Sequence, residues 1–63
     1  MNAEMVNRTR LVGAVQATNG DFYNLWQKVE DGVIYWGVSK NESDIDCAYR
    51  DLGYLAKIKG FSI

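Results

Sequence analysis

The stretch FYNLWQKVEDGVIYWG, residues 22–37, holds five aromatic residues around one Asp-Gly pair, and this pattern decides the fold. Aromatic and β-branched runs on both sides of Asp31-Gly32 predict two antiparallel strands, because a type I′ turn needs positive φ at both central positions. Asn19-Gly20 is a second such pair and follows an earlier apolar run. The sequence therefore predicts three antiparallel strands, at about Arg10–Thr18, Asp21–Glu30 and Val33–Ser39.

The segment NESDIDCAYRDLGYLAKIKG, residues 41–60, has the pattern of a helix. Asn41 or Ser43 would cap its start, acids lie near that start, and lysines precede Gly60 at its end, which suits the helix dipole. One helix, with a bend allowed at Gly53, is the favoured prediction, although a mid-helix glycine costs about 1 kcal/mol against alanine. In the alternative, a short helix ends at Gly53 and residues 54–63 form a fourth strand. The apolar positions at helical spacing are Ile45, Ala48, Tyr49, Leu52, Leu55 and Ala56.

These elements predict a single small α+β domain over residues 1–63, a three-stranded antiparallel β-meander packed against one C-terminal α-helix. Residues 1–8 are predicted to be a flexible N-terminal segment. A domain of this size buries only about 60% of its unfolded surface, so packing or self-association must stabilise it. The chain has one cysteine, Cys47, and no histidine. An internal disulfide is therefore excluded, and neither a metal site nor a cofactor is predicted.

Counting from two-residue turns predicts the register of the strands. Trp26 would lie opposite Gly13 on one side and Gly37 on the other, a large ring between two glycines. An aromatic face would then carry Leu11, Val15, Phe22, Trp26, Val33 and Tyr35. The opposite face, expected to receive the helix, would carry Val12, Ala14, Tyr23, Leu25, Val29, Ile34, Trp36 and Val38.

A single helix covers only one sheet face, so the aromatic face is expected to be open unless residues 1–8 fold over it. Exposed apolar patches usually mark interaction sites, and tyrosine and tryptophan dominate binding hot spots. The predicted partner-binding residues are Phe22, Trp26, Tyr35, Val15 and Leu11. The same patch would support an isologous homodimer. The alternative is that these rings simply fill the core. An unbroken helix would offer a second candidate surface, formed by Cys47, Tyr54 and Ile58.

Catalytic chemistry is not predicted. Without histidine there is no usual acid–base group for neutral pH, and nothing to activate Cys47 as a nucleophile. The acids of residues 42–46 lack the spacing of a calcium loop, and no glycine-rich phosphate loop precedes a helix. We therefore expect a non-catalytic protein-binding module, a small inhibitor or adaptor that masks a site on a larger protein. Such small proteins are common among phage and mobile-element products.

A nucleic-acid-binding accessory protein is the alternative. In element order alone, three strands followed by a helix resembles the arm-binding domains of tyrosine recombinases and AP2-like DNA-binding domains. That resemblance implies phosphate contacts from the sheet, for which Arg8, Arg10, Lys28 and Lys40 are available. The net charge of −1 counts against it, because affinity for nucleic acid depends on neutralised phosphates. The single cysteine, the lack of an apolar run of about 20 residues and the lack of a signal-peptide core predict a cytoplasmic protein without membrane contact.

Overall fold

The computed structural model describes residues 7–62, and its principal dimensions are 43 × 21 × 15 Å. Three antiparallel strands in the order β1-β2-β3 form an open sheet, and one helix follows them. The predicted α+β meander with one C-terminal helix is confirmed. Of the segment predicted to be flexible, residues 1–6 lie outside the described residues, and Asn7 and Arg8 begin β1. The elements are β1 Asn7–Gln16, β2 Phe22–Glu30, β3 Val33–Ser39, a 3₁₀ turn Glu42–Asp44 and α1 Leu52–Lys59.

The two hairpin turns differ. Glu30 pairs with Val33, and Asp31 and Gly32 both have positive φ, 53° and 79°, as the predicted two-residue turn requires. The first turn is longer than predicted, because the last pair of β1 and β2 is Gln16 with Phe22. It is closed by Ala17, whose N–H donates to the Asp21 carbonyl over 2.7 Å.

A β-bulge in β1 changes the register a second time. Leu11 pairs with Trp26 and Gly13 pairs with Leu25, so Val12 is an extra residue. The predicted pairing of Trp26 with Gly13 is therefore wrong, whereas its pairing with Gly37 is confirmed. A one-residue slip moves a side chain to the other face of the sheet.

Residues 13–16 of β1 lie between the bulge and the first turn, and only their side chains point to the face opposite to the predicted one. Val15 pairs with Tyr23 and so shares a face with Leu25, and Ala14 pairs with Asn24 on the face of Trp26. Leu11, beyond the bulge, keeps its predicted face because the two slips cancel there.

The helix begins eleven residues after Asn41, at Leu52, so the predicted start of the long helix is wrong. Asp51 is the N-cap, and its carboxylate accepts hydrogen bonds from the backbone N–H groups of Gly53 at 2.9 Å and Tyr54 at 3.4 Å. Asn41 precedes only the 3₁₀ turn and makes no side-chain cap there. Gly53 is the second helical residue, where it neither bends nor ends the helix.

The C-terminal end of the helix agrees with the sequence. Lys57 and Lys59 occupy the last turn, and Gly60 ends it with φ 80° and ψ 40°. The alternative of a fourth strand over residues 54–63 is wrong, since helix α1 extends to Lys59. Phe61 makes only an isolated bridge with Ala17.

Residues 40–51, which we call the connector, pass from one face of the sheet to the other. They first cross the face that carries Trp26 and Gly37, the connector face. A Cβ on Gly37 would lie 2.9 Å from Cys47 Cα and would overlap the Asp46 carbonyl oxygen. The connector then pairs with the outer edge of β3, where Tyr49 exchanges two backbone hydrogen bonds with Trp36, of 2.6 and 3.1 Å.

Helix α1 packs on the opposite face, the helix face, as expected from its aliphatic residues. Leu55 is fully buried there and forms the core with Leu25, Ala56 and Phe61. The partly buried residues against this cluster are Val15, Val38, Trp36, Tyr49 and Leu52.

Trp26 is buried at the place where the connector crosses, with only 7% of its surface exposed. Its Nε1 donates to Ser39 Oγ over 3.1 Å, and that hydroxyl donates to the Asn41 carbonyl over 2.7 Å. The predicted open aromatic face is therefore wrong at its centre, because the connector and not the helix closes it.

Gly37→Ala should destabilise the fold by about 1–3 kcal/mol, because the new methyl group would push the connector backbone off the sheet. Gly13→Ala is the matched control, since a Cβ there meets nothing within 4 Å. Urea unfolding of both variants measures the difference. Equal stability of the two would contradict the close crossing at Gly37.

Ser39→Ala should cost about 1–3 kcal/mol, because it leaves the buried Trp26 N–H without an acceptor. The exposed Ser43→Ala change is the control and should be nearly neutral. Thermal unfolding followed by tryptophan fluorescence reports both. A neutral Ser39→Ala variant would show that the indole finds another partner.

Candidate functional site

Within residues 7–62, no group of three His, Cys, Asp or Glu side chains is placed to hold a metal ion. In the same part of the chain, no helix has the length and apolar character to cross a membrane.

Cys47 is buried in the connector, with 5% of its surface exposed, and lies outside the helix. Burial raises the pKa of its thiol, and the nearby Lys28 ammonium only partly opposes this. The thiol is therefore protonated and shielded at neutral pH. The second predicted surface is reduced to Tyr54 and Ile58, which are exposed one turn apart on helix α1.

The predicted aromatic patch does not form one continuous surface. Leu11 and Phe22 are exposed, at 52% and 64%. Trp26 is buried, and Val15 packs against the core on the other face. Tyr35 is half-buried, with Lys28 Nζ 5.4 Å from its ring centroid. The accessible residues of the predicted patch are therefore scattered. They do not form the continuous surface that the predicted homodimer would need.

A different surface arises because the helix is short. Eight residues of helix span about 12 Å, whereas the nine residues of β2 span about 30 Å. The helix covers the part of the helix face near the first turn. The part toward the Asp31-Gly32 turn, which we call the ledge, consists of Arg8, Arg10, Gln27, Val29 and Ile34.

The ledge contains a cleft of about 210 Å³ lined by Arg8, Arg10, Gln27 and Val29. Arg10 Nε donates to Gln27 Oε1 over 2.9 Å, which orients one guanidinium at the rim. Arg8, Val29 and Ile34 form one row across the three strands. Ile34 is 44% exposed, so the row joins an apolar floor to a cationic rim.

Charge is segregated between the two faces. Neither Arg8 nor Arg10 forms an ion pair with any carboxylate of residues 7–62. Two lysines do form ion pairs: Lys28 Nζ on β2 lies 3.4 Å from Glu30, and Lys40 Nζ, just after β3, lies 3.5 Å from Asp21. The connector, which crosses the opposite face, carries Glu42, Asp44 and Asp46. The ledge is therefore locally basic although the net charge of the chain is −1.

Sequence reasoning missed the ledge because it made the helix too long. The missing signal was Asp51, because an aspartate directly before the first apolar helical residue, here Leu52, is a good N-cap. A start at Leu52 would have left half of the helix face without cover. No protein-family model, curated protein or solved structure matches the chain.

The raised pKa of Cys47 predicts a loss of stability in alkali. The unfolded thiol ionises near its ordinary value of 9.0, while the folded thiol stays protonated. The stabilisation is present below that pH and is lost as the pH rises beyond it. Unfolding free energies of the parent and of Cys47→Ala should therefore converge from pH 7 to pH 10. A constant difference across this range would contradict the burial of the thiol.

Proposed function

We propose that the protein is a non-catalytic protein-binding module, an inhibitor or adaptor that masks a site on a larger protein through the ledge. The observation that carries this proposal is the arginine-rimmed apolar cleft on the uncovered half of the helix face. Its residues stand on paired strands, so their positions are set before binding and little ordering is required.

The composition of the ledge supports protein binding. Arginine and tryptophan are enriched at interface hot spots, and the half-buried Trp36 lies beside Gln27 at the inner border of the ledge. Val29 and Ile34 add apolar area that a partner would remove from water. An apolar centre with a polar rim is the usual anatomy of such interfaces.

The size of the cleft favours a macromolecular partner over a small ligand. Small-molecule pockets usually measure about 300–1,000 Å³ and enclose most of the ligand. The cleft of about 210 Å³ on an open sheet is smaller than that range. It would accept one or two side chains of a partner.

The cations named for the nucleic-acid alternative do not share one surface. Arg8 and Arg10 lie on the helix face, Lys28 pairs with Glu30 on the connector face, and Lys40 pairs with Asp21 near the first turn. Two unpaired guanidinium groups would neutralise few phosphates, so binding to nucleic acid would be weak and easily lost in salt. Protein binding is therefore the function that this surface supports best.

Ile34→Asp should weaken capture of the partner by about thirtyfold, the effect of losing a hot-spot contact of about 2 kcal/mol. Ile58→Asp is the matched control, because Ile58 is equally exposed at 44% but lies on the helix. Both tagged variants and the parent are incubated with nuclease-treated lysate of the source cells, and the affinity of each for the recovered protein is then measured.

The proposal requires the parent and Ile58→Asp to retain the same stoichiometric protein. A partner that is recovered only from lysate without nuclease treatment would support the nucleic-acid alternative. Loss of the partner with Ile58→Asp and not with Ile34→Asp would show that the partner binds the helix and not the ledge.

A further inference from the structure

The outer edge of β1, beside the ledge, has no strand partner among the described residues. Strand β1 is an edge strand, and no described residue pairs with its outer side from Asn7 to Gln16. In an antiparallel sheet, every second residue of an edge strand directs its N–H and C=O outward. The bulge at Val12 interrupts this edge, so the regular part is the five-residue segment Asn7–Leu11.

The side chains along this segment alternate in chemistry. Arg8 and Arg10 point to the helix face at the cleft, and Thr9 and Leu11 point to the connector face. Residues two apart in a strand are separated by about 6.6 Å. An added strand has the same repeat, so its alternate residues would meet the two guanidinium groups. The residue between those two would meet Thr9, and a residue next to the one at Arg10 would meet the exposed Leu11.

We infer that the ledge binds an extended acidic segment of a partner protein, which adds as a strand to Asn7–Leu11. In this segment, carboxylates two residues apart pair with Arg8 and Arg10, and the residues that alternate with these carboxylates are apolar. Backbone hydrogen bonds to the strand edge supply affinity, and the alternating side chains supply specificity. This inference rests on the proposed function, because it names the chemistry of the partner at the same site.

Charge complementarity favours an acidic peptide over the other possible occupants. A nucleic acid could meet the guanidinium groups but could not continue the hydrogen-bond ladder of β1. The two arginines have no competing carboxylate in the described part of the protein, and the acidic connector crosses the other face. A second copy of the chain that paired its own β1 with this edge would bring the arginines of the two copies together, and sedimentation of the peptide-free protein detects such self-association.

The test is an NMR titration of the full ¹⁵N-labelled chain with the blocked pentapeptide Glu-Val-Glu-Val-Glu. We expect shifts of the backbone N–H signals of residues 8–11 and of Val29 and Ile34, and weaker binding as salt increases. Two control peptides separate strand addition from simple attraction. Glu-Glu-Glu-Val-Val has the same composition without alternation, and a second control carries N-methyl groups at alternate amides. Each should bind at least about tenfold more weakly.

Paired charge variants test the role of the arginines. Arg8→Gln with Arg10→Gln should abolish the shifts at the edge of β1. Lys57→Gln with Lys59→Gln removes the same charge from the exposed end of the helix and should leave binding unchanged. Equal binding by the scrambled or N-methylated peptide would overturn the inference. Shifts centred on the helix lysines, tighter binding of oligothymidylate, or self-association through the ledge would overturn it as well.

The inference and the proposed function fail in different ways. A protein partner that is lost with Ile34→Asp but bound equally well by the double arginine variant would keep the function and overturn the acidic-strand inference. Peptide binding as described, without any nuclease-resistant protein partner, would support the acidic-strand site and contradict the function.

Discussion

The contact between the connector backbone and Gly37 is the constraint on which the rest of the structure depends. No side chain fits at that position, because a Cβ would overlap the Asp46 carbonyl. The crossing buries Cys47 and accompanies the burial of Trp26 on one face. It also leads the chain to the edge of β3, where Tyr49 pairs with Trp36, and so delivers the helix to the other face. An extended segment and one short helix thereby pack on the two sides of a three-stranded sheet.

Because the helix is short, no described residue covers part of the sheet. Twelve residues of connector are used before the helix starts, and only eight residues of helix remain to pack on the core. The core forms around Leu55 near the first turn, while the strands continue beyond it toward Asp31-Gly32. A small domain normally hides such area, since its core is thin. We therefore interpret the arginine-rimmed surface on this part of the strands as a proposed binding site and not as incomplete packing of the core.

The distribution of charge matters more for function than its sum. A net charge of −1 weighs against anion binding when the chain is taken as a whole. The fold places the acids of residues 42–46 on the connector, while Arg8 and Arg10 stand without carboxylate partners in the described region. Lys28 and Lys40, which look equivalent to them in sequence, are paired with Glu30 and Asp21. Two of these four cations therefore define the ledge, and this is why we propose an acidic protein segment and not nucleic acid as its partner.

Sequence alone determined the features that depend on local backbone preference. The strands, the tight turn at Asp31-Gly32 and the helix end at Gly60 follow from residues that accept positive φ or alternate in polarity. Tertiary structure decided the bulge at Val12, the path of the connector across the sheet and the burial of Trp26. These depend on hydrogen bonds and contacts between distant residues, which a local pattern cannot encode. The proposed site lies on the ledge and not on the aromatic face for the same reason: the path of the connector sets which face stays exposed.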